Sequence, residues 1–237
     1  MKKALVTGST QGIGKAIAAR LVKDGFFVVV HGSRDLGKAR CVQEEIGAHS
    51  AVVGDLSEPN AAKDLRAATG EVDVLILNAS VQYKESWRKA SADTIGKQLQ
   101  VNFVSTVCLM QEYIPAMEKN GFGRVITIGS VNQHRCHPEL SVYAATKCAV
   151  MSFLKNVAKE EAALGVTVNN ISPGAIATPR NAEVYNDESA RRRVEACIPA
   201  GRFGTPEDCA GIAAFLCGED ASYITGADIA VDGGMRL

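Results

Sequence analysis

A serine, a tyrosine and a lysine in the middle of the chain have the types and spacing needed for proton transfer. Ser130 follows the predicted strand at 123–128, and Tyr143 and Lys147 come later, four residues apart. On a helix, that spacing puts two side chains on one face, one turn apart. A phenol has a pKa near ~10, and a neighbouring ammonium lowers it. The trio predicts that Tyr143 exchanges a proton with a substrate oxygen while a hydride moves, with Ser130 hydrogen-bonded to that oxygen. The alternative is a surface tyrosine beside a solvated lysine.

Glycines close to the N-terminus form a pattern that suits a phosphate group. The predicted strand Lys3–Thr7 runs into Gly8, Gly12 and Gly14, and a helical pattern follows near 13–24. Glycines permit a tight turn and close approach of the backbone, and a helix N-terminus offers free N–H groups and positive potential. The spacing is G-x-x-x-G-x-G rather than the commoner G-x-G-x-x-G. We predict that the pyrophosphate of a dinucleotide binds here, and the alternative is a glycine-rich turn without a ligand.

The elements that must position these residues alternate along the chain. Seven short runs are predicted as strands, and several are apolar throughout, as strands covered on both faces should be: Lys3–Thr7, Phe26–His31, Ser50–Gly54, Val72–Leu77, Gly123–Ile128, Val166–Ile171 and Ile229–Val231. Helices are predicted near 13–24, 36–46, 58–69, 93–119, 143–163, 182–196 and 206–217, the last beginning at Pro206 with Thr205 as N-cap.

This alternation indicates the fold class. It predicts a single α/β domain over residues 1–237, a doubly wound Rossmann-type fold whose seven-stranded, mostly parallel sheet has helices on both faces. The carboxyl ends of the strands then lie along one edge of the sheet, which is where ligands bind in such folds.

The composition argues against several classes of function. Lys+Arg and Asp+Glu number 26 each, so the formal net charge is zero and no overall field attracts nucleic acid or an anionic membrane. The longest apolar run, Phe26–Val30, is far shorter than a membrane span, and we expect no signal peptide. The seven cysteines are scattered and never form C-x-x-C. We therefore expect no disulfide framework, no metal site and a cytoplasmic location.

Together, the motifs resemble those of the short-chain dehydrogenase/reductase family, in its single-domain branch of about this length. The likeness runs from end to end and rests on several motifs in the family's order. The glycine turn matches the family's cofactor turn, and the Ser–Tyr–Lys trio matches its catalytic set, with the usual gap of thirteen between Ser130 and Tyr143. The C-terminal stretch from Ile224 to Gly234 also resembles the family's ending.

The resemblance implies roles for further residues. Asn102 matches a helix asparagine that connects the catalytic lysine to a proton-relay water, and Lys147 would also bind the nicotinamide ribose. Asp55 would contact the adenine ring, and the loop Pro173–Thr178 would touch the nicotinamide. The catalytic residues implied are Asn102, Ser130, Tyr143 and Lys147; the cofactor-binding residues implied are Gly8, Ser9, Gln11, Gly12, Ile13, Gly14, Asp55, Leu56, Asn78, Ala79, Tyr143, Lys147, Pro173, Gly174, Ile176 and Thr178.

Two residues depart from the family's pattern. Leu77 and Ser80 replace the first Asn and the Gly of its Asn-Asn-Ala-Gly segment. Position 80 lies near the cofactor in the family, so Ser80 either adds a hydroxyl contact or alters the local turn. The proton-transfer chemistry does not depend on it.

The end of the second predicted strand indicates which dinucleotide binds. Family members that prefer NAD usually carry an Asp at the position that Gly32 occupies here. Ser33 and Arg34 could instead hold a 2′-phosphate, by a hydroxyl hydrogen bond and a charge-assisted pair. These residues favour NADP over NAD. The alternative is that Arg34 is a solvated loop residue.

Two segments would frame the substrate, again by the likeness. The segment 131–140 is polar, which favours a polyhydroxylated or acidic small molecule, although a hydrated loop would look the same. On the lid at 180–202, Arg191, Arg192 and Arg193 could attract an anionic carrier protein or form a solvated helix face.

Three functions remain: a dehydrogenase of sugars, polyols or similar small hydroxy compounds, a 3-oxoacyl carrier-protein reductase, and a non-catalytic dinucleotide sensor. The intact catalytic set argues against the sensor.

The two longest helical segments bear on assembly. In the family, the outer faces of the helices corresponding to 93–119 and 143–163 pair between subunits. Both segments carry more apolar residues than one buried stripe requires. We therefore expect a homotetramer with dihedral symmetry.

Overall fold

Seven strands form one parallel sheet in the computed structural model, which describes all 237 residues. The strand order is β3-β2-β1-β4-β5-β6-β7. The winding reverses between β1 and β4, which makes the fold doubly wound and confirms the predicted fold class. All six strand pairs are parallel, so the sheet is parallel throughout rather than mostly parallel. The strands are β1 (Lys3–Val6), β2 (Phe27–Gly32), β3 (Ser50–Val53), β4 (Val74–Leu77), β5 (Gly123–Ile128), β6 (Val166–Pro173) and β7 (Asp228–Val231).

Nine α-helices connect and cover these strands. Thr205 caps the last helix, accepting from the Asp208 N–H, and Pro206 is its first residue, as predicted. No helix combines the length and the apolar composition needed to cross a lipid bilayer. The helices are α1 (Gly12–Lys23), α2 (Leu36–Ile46), α3 (Ala61–Thr69), α4 (Ala92–Leu99), α5 (Ser105–Asn120), α6 (Ser141–Glu161), α7 (Ala182–Asn186), α8 (Glu188–Glu195) and α9 (Pro206–Cys217).

The core lies in two layers, one on each face of the sheet. Helices α1, α2 and α9 pack on one face, and α3, α5 and α6 pack on the other. Successive strand residues point to opposite faces, so Ala4 and Val6 belong to the first layer while Leu5 belongs to the second. This two-sided burial is why the strands read as apolar runs rather than as alternating ones.

Two helix predictions need correction. The segment 93–119 is not one regular helix, because a π-helical turn at Gln100–Val104 separates α4 from α5. The segment 182–196 is two helices, because the backbone of Asp187 is extended. The Asp187 carboxylate accepts from the Ala190 N–H and so begins α8 as a new helix.

Candidate active site

A large cleft opens at the carboxyl edge of the sheet and has a volume of about 500 Å³. Residues that follow β1, β2, β4, β5 and β6 all line it, because parallel strands end at the same edge. Most of the predicted site residues lie in its wall: Gly8, Gln11, Gly12, Ile13, Ser33, Asp55, Leu56, Asn78, Ala79, Ser130, Tyr143, Pro173, Gly174, Ile176 and Thr178.

The glycine turn after β1 is braced from the neighbouring strand. Gly8 has φ +63°, which favours glycine. The Asn78 amide donates to the carbonyl oxygens of Thr7 and Gly8 at 2.9 and 3.0 Å. Gly14 leaves room for this amide, since a Cβ there would lie 2.4 Å from Asn78 Nδ2. Gly14 and Asn78 therefore fix the turn where β1 and β4 diverge.

The N-terminus of α1 suits a phosphate group. The N-cap residue Gln11 gives the helix no side-chain cap, so the first N–H groups of α1 have no side-chain acceptor. Gln11, Gly12 and Ile13 all line the cleft. Uncapped N–H groups and the positive end of the helix dipole together attract an anion. The residues present thus fit the pyrophosphate of a dinucleotide.

Ser9 and His31 support this turn from beneath. Ser9 was predicted as a cofactor contact, but it is fully buried. Its hydroxyl donates to Val6 O at 2.7 Å and accepts from the His31 N–H at 2.9 Å, so it holds β1 against β2 instead of facing the cleft. The His31 ring accepts from the Gly8 N–H at Nδ1, 3.0 Å away, which leaves Nε2 to donate to Gly54 O at 3.0 Å.

Burial keeps His31 neutral. It lowers the pKa of His31 to about 4, against a smaller raising effect of the hydrogen bond to Gly54. Between pH 6.5 and about pH 4, His31 is therefore protonated in the unfolded chain and neutral in the folded chain. The resulting stabilisation is complete above pH 6.5 and is lost as the pH falls to about 4.

We expect His31 to lower the free energy of unfolding by about 1.4 kcal/mol per pH unit as the pH falls through this window. Denaturant titrations at several pH values measure the slope in the wild type and in His31→Gln, which lacks the titrating group. The matched control is His49→Gln, which removes an exposed histidine next to the adjacent strand β3. Equal slopes in wild type and His31→Gln would contradict a neutral buried imidazole.

The end of the cleft that lies after β2 carries the groups predicted to select the dinucleotide. Ser33 lines the cleft, whereas Arg34 lies at its edge and pairs with Asp55, with Nε at 2.7 Å from Oδ2. The other Asp55 oxygen accepts from the N–H and hydroxyl of Ser57. Burial raises the pKa of Asp55, but the bonds from Ser57 and Arg34 outweigh it and hold the pKa below its usual range. Lys38, which sequence reasoning missed, donates to the Gln11 side chain at 3.0 Å and adds a second cation.

Tyr143 and Lys147 lie on one face of α6, and both are buried. Lys147 Nζ lies 5.6 Å from the centre of the Tyr143 ring and donates to Ile128 O at 2.7 Å. Ser130 follows β5 and begins a short 3-10 turn, with its N–H bound to Gln133 Oε1 at 2.7 Å. The Ser130 hydroxyl oxygen accepts from the Asn132 N–H at 3.2 Å, which leaves its O–H free to donate. The structure thus places Ser130 and Tyr143 in the cleft wall, and Lys147 lies buried beside Tyr143 without lining the cleft itself.

The electrostatics of Tyr143 differ from the sequence-based expectation. Burial raises the pKa of Tyr143, and the groups that lower it are Arg180, Ser130 and Ser80, not Lys147. Lys147 is itself removed from water and faces the same Arg180, which together lower its pKa to about 7. With these shifts, Tyr143 is a protonated phenol at neutral pH and can donate to an oxygen, and Lys147 exchanges protons near neutrality.

Asn102 lies in the π-helical turn between α4 and α5 and is buried. Its side chain exchanges two hydrogen bonds with the backbone of Val81 and donates to Thr146 Oγ1 at 3.1 Å. Thr146 in turn donates to Tyr143 O at 2.7 Å. Asn102 therefore joins the loop after β4 to the helix that carries Tyr143 and Lys147. A π-turn inside a helix is frequent at functional sites.

A polar network lies behind Ser130. Gln133 Oε1 accepts from the Ser130 N–H, and the Ser172 hydroxyl, 3.4 Å from the same oxygen, donates to Asp228 at 2.7 Å. The second Asp228 oxygen lies 2.6 Å from His134 Nε2. His134 thus pairs with a carboxylate instead of facing the cleft.

No group of three or more His, Cys, Asp or Glu side chains is arranged to hold a metal ion, and all seven cysteines are free thiols.

Sequence reasoning missed Arg180 as a site residue and left the role of Ser80 open. Arg180 belongs to the 3-10 turn Pro179–Asn181, at the start of the segment expected to form the lid, and Arg180 and Ser80 both line the cleft. Arg180 Nη2 donates to Ser80 O at 2.7 Å and to Ser80 Oγ at 3.1 Å. The departure at position 80 therefore adds a hydroxyl contact, made to an arginine a hundred residues away.

The arginines of α8 are paired within their own helix. Arg192 pairs with Glu188, Arg193 donates to Ser189 Oγ, and Arg191 lies 3.9 Å from Glu195. Such i,i+4 pairs are typical of a solvated helix face. None of the three arginines lines the cleft.

Known proteins resemble the chain over nearly its whole length. A family model described as "Enoyl-(Acyl carrier protein) reductase" matches residues 8–236. Dehydrogenase/reductase SDR family member 4 of Sus scrofa is 37% identical over 241 residues, which cover 98% of this chain and 86% of the relative. A crystal structure of a 3-oxoacyl (acyl-carrier-protein) reductase from Agrobacterium tumefaciens with NADP bound has a TM-score of 0.94 and 38% identity, covering 98% of this chain and 93% of that one. A candidate NAD(P)-dependent gluconate 5-dehydrogenase from Beutenbergia cavernae, also with bound NADP, has a TM-score of 0.92 and 35% identity, covering 99% and 96%.

Proposed function

The chain belongs to the short-chain dehydrogenase/reductase family, and we propose that it is an NADP-dependent oxidoreductase that interconverts a secondary alcohol and a ketone in a small polar hydroxy compound. The observation that carries this proposal is that Ser130 and Tyr143 line one cleft, with Lys147 buried beside Tyr143 and the uncapped N-terminus of α1 also in the cleft wall. An acid, a positioning hydroxyl and a phosphate site in one cleft suit hydride transfer to a carbonyl.

The proposed roles follow from the geometry. The Tyr143 phenol, kept protonated by burial, gives its proton to the substrate oxygen in reduction and takes one back in oxidation. The free Ser130 O–H donates to the same oxygen and stabilises the charge that develops on it. Lys147, with a pKa of about 7, can return a proton to Tyr143 at neutral pH, and Asn102 holds α6 in place.

The proposed cofactor residues extend along the rest of the cleft. When bound, the nicotinamide supplies or accepts the hydride. The turn at Gly8–Gly14 would hold the pyrophosphate, and Asp55 with Leu56 would contact the adenine. Ile176 and Thr178, in the wall on the other side, would contact the nicotinamide end. Ser33, Arg34 and Lys38 would recognise the 2′-phosphate, and two of the NADP-bound relatives support this choice.

The substrate half of the cleft favours a small polar compound. Its wall includes Ser80, Gln82, Asn132, His137 and Arg180. The relative from Beutenbergia cavernae is described as a candidate dehydrogenase of gluconate, which is a compound of this kind. Val184, Val194 and Phe203 add an apolar wall on the lid side.

A 3-oxoacyl carrier-protein reductase is the second candidate, and the 38% identity to such an enzyme favours it. The pairing of the α8 arginines within their own helix argues against a carrier-protein docking site there.

A substrate panel with both cofactors tests the proposal. Sugars, sugar acids and polyols are assayed with NADP and NAD, and acetoacetyl thioesters are assayed with NADPH, by the absorbance of the reduced cofactor. Turnover of small hydroxy compounds supports the first candidate, and preferred turnover of the thioesters supports the second. Cofactor binding without turnover in either arm would instead support the dinucleotide sensor.

We also propose that the protein is a single-domain cytoplasmic homotetramer. Leu99, just before the π-turn, and Val104, its last residue, are exposed apolar residues, which is consistent with a subunit interface there. Sedimentation velocity at micromolar concentration should give the mass of four chains of 25.1 kDa. A stable monomer under these conditions would contradict the proposal.

A further inference from the structure

The proton-transfer end of the cleft contains an arginine that has no carboxylate partner. Arg180 forms no ion pair. Its Nη2 is bound to Ser80, and Arg180 and Tyr143 line the same cleft, where the guanidinium lowers the pKa of the Tyr143 phenol. The other two nitrogens therefore remain as donors beside the group that must contact the reacting oxygen.

The charges around the cleft are divided between its ends. Asp55 is the only carboxylate in the wall, and it lies at the adenine end, where Arg34 already pairs with it. Arg180 and Lys84 contribute positive charge to the rest of the wall. An arginine without a counter-ion gives this region a positive potential, which attracts an anion.

We propose that Arg180 binds a carboxylate of the substrate, so that the preferred substrates are small hydroxy or oxo acids. The inference rests on the proposed function, because the position of the reacting carbon is set by Tyr143. Since Arg180 and Tyr143 line the same cleft and interact electrostatically, we expect the carboxylate to lie close to the reacting carbon, as it does in 2-oxo and 3-oxo acids. A guanidinium is the side chain best matched to a carboxylate, which it binds through parallel N–H groups.

Ser80 positions the guanidinium for this role. Its carbonyl and hydroxyl oxygens both accept from Nη2, and its backbone is fixed by the loop that Asn102 holds at Val81. The arginine approaches from the lid, so the carboxylate would also tie the lid to the loop after β4. The competing explanation is that Arg180 only closes the lid onto Ser80, with no contact to the substrate.

Matched acid and ester substrates separate these explanations. kcat/KM is measured with NADPH for acetoacetate against ethyl acetoacetate and for pyruvate against methyl pyruvate. In the wild type the acids should be preferred. Arg180→Met should lower the acid-to-ester ratio about tenfold to fiftyfold, as for the loss of one charged hydrogen-bonding partner. Arg180→Lys should recover only part of the ratio, because an ammonium lacks the guanidinium's fork. Arg192→Met, which removes a lid arginine outside the cleft, should leave the ratio unchanged.

A binding measurement keeps this inference separate from the proposed function. Oxamate, an unreactive analogue of a 2-oxo acid, is titrated calorimetrically into the NADP complex of Tyr143→Phe with and without Arg180→Met. Oxamate binding that requires Arg180 supports the carboxylate site, even if no compound turns over and the oxidoreductase proposal fails. The inference would be overturned, with the proposed function left in place, by the following result. The enzyme turns over, its acid-to-ester ratio is unchanged in Arg180→Met, and oxamate binds equally well with and without Arg180.

Discussion

Tyr143→Phe should lower kcat by roughly 10²–10⁴ in both directions of the reaction, which is the usual cost of losing a positioned proton donor. Ser130 and Arg180 both interact with the phenol, and its protonated form is favoured by burial. Neither neighbour can replace it, since a guanidinium does not give up its proton and a serine hydroxyl is a much weaker acid. Cofactor binding should be little changed, because the ring itself remains.

The matched control is Tyr113→Phe. Tyr113 is also fully buried, and its hydroxyl lies 2.6 Å from Thr69 Oγ1, between α5 and α3 and away from the cleft. Removing that hydroxyl should cost about 1 kcal/mol of stability and leave kcat unchanged. Steady-state kinetics and denaturant unfolding of both variants test the comparison. If Tyr143→Phe retained wild-type kcat, the acid would have to be another group and the mechanism would fail.

The parts that the sequence predicted well are those set by local pattern. The strand Val74–Leu77 is apolar over its whole length because both faces are covered, and that pattern is readable without a structure. The Tyr143–Lys147 spacing places two side chains on one helix face wherever the helix lies. Strand ends and the glycine turn likewise fall at one edge of any parallel sheet, so most predicted cofactor residues line one cleft.

The parts that the sequence could not predict depend on contacts between distant residues. Arg180 meets Ser80 across a hundred positions, and His31 meets Gly8 only because β1 and β2 are neighbours. Periodicity also cannot distinguish a π-turn at Asn102 from a regular helix, since the apolar pattern continues through it. The break at Asp187 did have a local signal, because an aspartate is a favoured helix N-cap.

Burial explains why the pKa shifts of Tyr143 and Lys147 differ from those that the sequence suggested. Spacing alone suggested an ammonium that lowers the pKa of the phenol, as it would for two groups in a solvated site. In the folded chain both groups are removed from water, which raises the pKa of the phenol and lowers that of the ammonium. The charge that Tyr143 meets comes from Arg180, a residue with no sequence relation to the Tyr-x-x-x-Lys motif.

Cofactor selection depends on a short segment after β2, and the structure adds detail to how this segment would recognise a 2′-phosphate. Gly32 carries no carboxylate that would repel a 2′-phosphate, and Ser33 offers a hydroxyl in the cleft wall. Arg34 is mostly exposed and pairs with Asp55, so a phosphate must compete with that carboxylate for it. A dianion competes well, because the pair is solvated and exposed pairs contribute little. Lys38, bound to the Gln11 side chain, stays nearby as a second cation.

We therefore expect Arg34→Ala to weaken NADPH binding about tenfold to hundredfold and to leave NADH binding nearly unchanged, because NADH lacks the phosphate. Gly32→Asp adds a ribose acceptor for NADH and a charge that repels NADPH. Its Cβ would lie 3.1 Å from Thr10 Cγ2, so a small shift of that side chain accommodates it. The double variant should change the NADPH-to-NADH affinity ratio by roughly 10²–10³. Dissociation constants from cofactor fluorescence measure this, with Arg40→Ala, an exposed arginine farther along α2, as the charge-matched control. Equal losses of NADH and NADPH in Arg34→Ala would mean that Arg34 acts by holding Asp55 in place, and the 2′-phosphate site would have to lie elsewhere.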